Sequence, residues 1–156
     1  MGHLEVVRAL LSAGALVNLA TTDNASPLHV ASVKGHLEVV RALLSAGALL
    51  NLRNTLSGRS PLFLACQHGH AEVALALVSA GGQLGLQDQG GWTPLQVACP
   101  QLRARLIQQR DAILATEVAA QMRLAEVEEA ATCFLAVSAC AVCIFSVLRR
   151  GGHHQA

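Results

Sequence analysis

Residues 2–16, GHLEVVRALLSAGAL, recur without a change at residues 35–49, one period of 33 residues later. A looser third copy, GHAEVALALVSAGG, occupies 69–82, a step of 34 residues. A second motif runs in phase with the first: Ser26-Pro27-Leu28-His29-Val30-Ala31, Ser60-Pro61-Leu62-Phe63-Leu64-Ala65 and Thr93-Pro94-Leu95-Gln96-Val97-Ala98. Two motifs repeating in register at this spacing predict a stacked solenoid, because a unit this short cannot bury its apolar face alone.

Residues 21–53 show what one unit is built to do. Ser26 offers a hydroxyl to cap a helix, and Pro27 suits the first helical position, where no amide hydrogen is needed. Leu28, Val30 and Ala31 begin a short helix of small and apolar residues, which Gly35 ends by accepting positive φ without a Cβ penalty. A second helix follows. Its Leu37, Val39, Val40, Leu43 and Leu44 form a wide apolar stripe, with Glu38 and Arg41 toward water. Gly47 stops it, and a loop leads to the next hairpin. The unit reads as helix, turn, helix, loop.

This pattern resembles the ankyrin repeat, and the resemblance covers roughly the first hundred residues. It implies an all-α fold, an ankyrin-like helix-turn-helix solenoid. The units are a partial one at 1–20, full ones at 21–53 and 54–86, and a partial one at 87–100. Of the three matches to the family's hydroxyl–Pro–Leu–His pattern, only the first keeps its histidine, His29. Phe63 and Gln96 stand in the others, where the expectation is a turn held less rigidly. Asp88, Gly91, Trp92 and Thr93 match the family's Asp-x-x-Gly-x-Thr-Pro hairpin. Asn24 stands for the glycine in the earlier unit, and visits the left-handed region readily. The hairpin with Gly58, Arg59 and Ser60 has one extra residue, which accounts for the 34-residue step.

Both ends of the array depart from the pattern. Met1-Gly2-His3 falls at the turn between the two helices of a unit, so Val6, Val7, Leu10 and Leu11 form a helix short of a partner. The expectation here is a truncated form of a longer protein. At the other end Pro100 is expected to interrupt the first helix of the fourth unit, and Arg110-Asp111 replace the Leu43-Leu44 of the second. Residues 101–129 read as a long polar helix, a cap or stalk. Residues 130–148, AATCFLAVSACAVCIFSVL, carry no charge and are closed by Arg149-Arg150. Nineteen helical residues span roughly 28 Å, near the thickness of a bilayer's hydrocarbon core. This predicts a single transmembrane helix with a polar tail at 149–156 and the repeats in the cytosol. That is the arrangement of a tail-anchored protein of the mitochondrial outer membrane or the endoplasmic reticulum.

The chain is 53% hydrophobic, 13% charged and carries a net charge of +1, so it has no basic footprint for nucleic acid. Cys66 and Cys99 occupy small-residue positions of repeat helices, where cysteine serves as a compact hydrophobe. Cys140 and Cys143 have a CxxC spacing but no second pair, so no metal site is expected. Cys133 is a position for S-acylation. His3, His36 and His70 are the histidine of the repeated Gly-His turn, with His68 beside the last. No phosphate loop, nucleophile motif or paired acid appears, so neither catalysis nor a cofactor or small-molecule substrate is expected.

The resemblance implies an unidentified protein partner bound by hairpin tips and the exposed side of the first helices. Carried over by position, the contact residues are Thr22, Asp23, Ala25, Val33 and Lys34, then Leu56, Ser57, Arg59, Gln67 and His68, then Gln89 and Trp92. Trp92 is the leading anchor candidate, since interfaces concentrate binding energy in Trp and Arg, with Arg59 as its companion. The sequence also admits a fragment of a larger integral membrane protein, or a marginally stable isoform of a longer repeat protein.

Overall fold

The computed structural model describes residues 4–151, with side chains through Glu128. Every regular element among them is helical: α1 Leu4–Ser12, α2 Pro27–Lys34, α3 Leu37–Ser45, α4 Pro61–Gln67, α5 Ala71–Ser79, α6 Pro94–Val97 and α7 Pro100–Gly151. Residues 1–113 form one compact unit and 114–156 a second. Within the first, α2 and α3 make one helical hairpin and α4 and α5 the next. The short first helices α2, α4 and α6 stack in series.

The stacking follows from side-chain size. α2 and α4 set the small Ala31, Ser32, Ala65 and Cys66 beside Leu28 and Leu62, and all six are buried, as are the larger His29 and Phe63. The second helices cover them with Val39, Val40 and Leu43 from α3 and Val73, Ala74, Leu77 and Val78 from α5. One continuous apolar core results. Contact within each hairpin and contact across unit boundaries both contribute to its stability.

The turns behave as the residues predict. Gly35 takes φ 72° at the end of α2. A Cβ there would also lie 2.5 Å from Nδ1 of His70, so glycine is required twice over. In the three hairpins the left-handed position is held by Asn24 (φ 58°), Gly58 (φ 68°) and Gly91 (φ 80°). Each hairpin opens with a side-chain acceptor. Thr21 Oγ1 takes the Ala25 amide at 3.2 Å, Asn54 Oδ1 the Arg59 amide at 2.8 Å, and Asp88 Oδ1 the Trp92 amide at 2.9 Å. The middle hairpin spans one residue more than the others, which yields the 34-residue step.

The fourth unit differs from expectation. Pro100 does not interrupt its first helix; it begins α7, at the position where a missing amide hydrogen costs nothing. α6 is cut to four residues. Arg103 closes it, donating from Nε to the Leu95 carbonyl (2.8 Å) and from Nη2 to those of Gln96 (3.2 Å) and Ala98 (3.4 Å). Leu102 and Leu106 are buried and Ile113 packs on the core, so the first turns of α7 cover the last unit. The sequence places a polar helix at 101–129; α7 runs unbroken from Pro100 to Gly151.

In the second unit Leu114, Val118, Met122, Leu124 and Val127 are exposed along α7. No helix among the described residues is long and apolar enough to cross a membrane. The apolar run 130–148, with Cys133, Cys140 and Cys143, lies beyond the residues whose side chains are described, as does the tail at 152–156.

Candidate functional site

The three hairpins form a connected row, and the bonds that connect them consume part of the expected contact surface. The Thr55 amide donates to the Asp23 carbonyl at 2.9 Å, and the Gln89 amide to the Ser57 carbonyl at 2.9 Å. Asn24 Nδ2 donates to the Arg53 carbonyl and Gln89 Nε2 to the Thr55 carbonyl, each at 2.9 Å. Asp23, Ser57 and Gln89 thus hold one finger to the next. Ser57 Oγ is further bound to Asn54 Oδ1, and the Ala25 amide to Thr21 Oγ1.

Arg59 is fixed from several sides. Its guanidinium lies 5.2 Å from the centroid of the Phe63 ring. Nε reaches Asp88 Oδ2 at 3.4 Å, and Nη1 reaches Gln67 Oε1 at 3.3 Å. Asp88 is nearly buried in the next hairpin. The Trp92 amide, the Gly90 amide and the Arg59 guanidinium together hold its carboxyl below the ordinary value, against the effect of burial. Arg59 therefore bridges two hairpins, a positioning role that the sequence reading did not anticipate when it paired Arg59 with Trp92.

The Trp92 ring is held differently. Its backbone is locked by two bonds to Asp88, while its side chain is 56% exposed at the tip. The indole lies over Gly90 of its own turn, where a Cβ would come within 3.2 Å of Cδ1. Leu56, on the preceding hairpin, is 69% exposed. Thr22, Lys34, Gln67 and His68 are exposed too, and Val33 is half-buried. The Val33 carbonyl accepts from His70 Nε2 at 2.9 Å, and the His68 ring stacks on that of His70 with centroids 6.3 Å apart.

The buried turn residues explain how these tips are presented. His29 is buried. Its Nδ1 accepts the Ser26 amide at 3.1 Å, so the proton sits on Nε2, which donates to the Arg59 carbonyl at 3.3 Å. Burial pushes the His29 pKa below its ordinary value, against the carbonyls of Arg59 and Leu52. Gln96 at the equivalent place reproduces the arrangement: Thr93 Oγ1 accepts the Gln96 amide at 3.4 Å, and Gln96 Oε1 accepts the Thr93 amide at 2.8 Å. The expectation of a looser turn there is corrected, because glutamine supplies the acceptor that a capping box needs. Phe63 supplies none; Ser60 Oγ still accepts its amide at 3.2 Å, and the ring carries Arg59 instead.

A second ladder was missed by sequence reasoning. Asn18 Oδ1 accepts the Leu49 amide at 2.7 Å while its Nδ2 donates to the Gly47 carbonyl at 3.2 Å, and Asn51 Oδ1 accepts the Gln83 amide at 3.1 Å. The signal was present as Val17-Asn18-Leu19, Leu50-Asn51-Leu52 and Leu84-Gly85-Leu86, with glycine ending the ladder at the last unit.

No group of three or more His, Cys, Asp or Glu side chains among the described residues is arranged to hold a metal ion. Burial raises the Cys66 thiol pKa to about 12, and the nearby Cys99 adds to the effect, so Cys66 stays protonated and acts as core. Residues 28–78 match the family model described as ankyrin repeats (many copies). No curated protein matches the chain.

Proposed function

With residues 28–78 an ankyrin-repeat segment, we propose that this chain is a non-enzymatic protein-binding module held at a membrane through residues 130–148. The observation that carries the binding half is the pair of exposed apolar side chains, Trp92 and Leu56, on adjacent hairpins whose backbones are rigidly bonded. Rigid backbone beneath an exposed aromatic reduces the ordering cost of binding, and Trp is the residue type most enriched among interface anchors. Thr22, Lys34 and His68 extend the surface; Arg59, Asp88 and Gln89 hold it in place.

The membrane half rests on sequence. Nineteen uncharged residues closed by Arg149-Arg150 meet the length a spanning helix needs. They follow the repeats, which this reading keeps in the cytosol.

Two experiments test the reading. A photo-crosslinking residue at position 92 or 56 of the full chain should give a discrete protein adduct in cells. The same residue at Arg41, exposed on α3, should give none. Equal labelling from all three positions would refute the surface. Alkaline extraction should leave the full chain in the membrane pellet and release a chain lacking 130–150. Release of both would remove the tether.

A further inference from the structure

We propose that one face of α7 within residues 114–128 is a docking site for a basic amphipathic helix of another protein. Leu114, Val118 and Met122 follow one another at four-residue steps, so they stand in a single row on the helix. They are 50%, 54% and 63% exposed, and none of them packs on the apolar core. Ala115 and Ala125 lie beside the row and widen the apolar face.

The charges around the row identify the occupant. Residues 114–128 carry three glutamates and one arginine. Glu117 and Glu128 border the apolar face on one edge and Glu126 borders it on the other, whereas Arg123 falls on the far side of the helix. The ion pairs found among the described residues engage other groups and leave these three carboxylates unpaired. An apolar row with acidic edges complements an apolar row with Lys or Arg on its edges. A second copy of this segment would instead bring glutamate against glutamate, and an anionic bilayer surface would be repelled by the same charges.

Spacing sets the geometry of the contact. A row of four-residue steps is a ridge inclined to the helix axis, and two such ridges interdigitate with the axes crossing at about 50°. The partner therefore meets α7 over about two turns and needs its own aliphatic residues at i, i+4 and i+8. It does not wind along α7, which would require the alternating three- and four-residue steps of a heptad. Met122 adapts to the side chain that it meets. No hairpin residue takes part, so failure of this site would leave the proposed function standing.

The probe is a fluorescent helical peptide with leucine in an i, i+4, i+8 row and lysine along both edges. It is titrated by anisotropy against the full chain in a nonionic detergent, with protein-free micelles as the blank. Saturable binding that weakens with added salt is expected. Val118→Ser should weaken it about tenfold, whereas Leu124→Ser, on another face of the same helix, should leave it unchanged. Both side chains are more than half exposed, so helix content by circular dichroism should be the same in each variant. Glu117→Gln combined with Glu128→Gln should weaken binding severalfold and flatten its salt dependence. A peptide of the same residues scrambled so that no row forms should bind about tenfold more weakly. Absence of binding, equal binding of the scrambled peptide, or equal losses from Val118→Ser and Leu124→Ser would overturn the proposal. So would concentration-dependent self-association abolished by Val118→Ser, which would assign the face to a second copy of the chain.

Discussion

The helices α1 and α3 have the same nine residues, LEVVRALLS, and different fates. In α3 Val39, Val40 and Leu43 are buried; in α1 no residue is. Local propensity, amphipathic pattern and the charged pair at i and i+3 are the same in both, Glu5–Arg8 and Glu38–Arg41. What differs is neighbours: α3 packs on α2 of its own hairpin and on α5 of the next, whereas the principal helix contact of α1 among the described residues is α3. A helix in this fold therefore takes its burial from the helices packed on it, its own hairpin partner as much as the neighbouring unit.

Matched substitutions sharpen the contrast, and the largest effect falls in the core. Leu43→Ala removes a side chain that is 4% exposed and should cost about 2–5 kcal/mol in denaturant unfolding. Leu10→Ala, at the identical place in α1 but 54% exposed, should cost less than about 1 kcal/mol. Equal losses would mean that α1 is covered in solution. Gly35 and Gly69 offer the next comparison, with φ of 72° and 73°. Only at Gly35 would a new Cβ meet a neighbour, the His70 ring. Gly69→Ala should cost about 1–2 kcal/mol from the left-handed backbone. Gly35→Ala should cost about 1–3 kcal/mol more, as the ring is pushed from the Val33 carbonyl.

A smaller effect separates the His29 turn from the Gln96 turn. The folded chain holds His29 below its unfolded pKa, so the unfolded state takes up the proton first. Stability should be full above about pH 6.5 and fall as the pH drops below it, because a protonated Nδ1 can no longer accept the Ser26 amide. His29→Gln copies the capping box seen at Thr93 and Gln96 and should flatten this part of the pH profile in thermal melts. An unchanged slope would place the acid sensitivity elsewhere.

Much of this was legible because repeats carry their own controls. Three copies in register fixed the helical hairpins, the left-handed role of Asn24 and the extra residue before Ser60. The fourth unit was harder to read, since only one motif marks it. Pro100 fits equally the middle of a first helix or the start of a second, and Arg103 decides by capping α6 with bonds that span up to eight residues. Gln96 looked like a lost histidine, although its Oε1 provides the same acceptor. The contact residues were placed by position alone, and position could not separate exposed Trp92 and Leu56 from Arg59, Asp23 and Gln89, whose bonds cross between hairpins. The Asn18 and Asn51 ladder was missed for a similar reason: its partners lie about thirty residues away, and nothing local to either asparagine names them.

Hydrogen exchange over α1 and α3 tests most directly the claim that neighbours, not sequence, stabilise these units. Identical sequences share intrinsic exchange rates, so any difference in protection reports structure. Peptides ending at Val17 and Leu50 distinguish the two copies by mass. The account predicts that amides of residues 37–45 exchange at least about a hundredfold more slowly than those of 4–12, as buried core helices do relative to fraying ends. Equal protection in the two helices would contradict it.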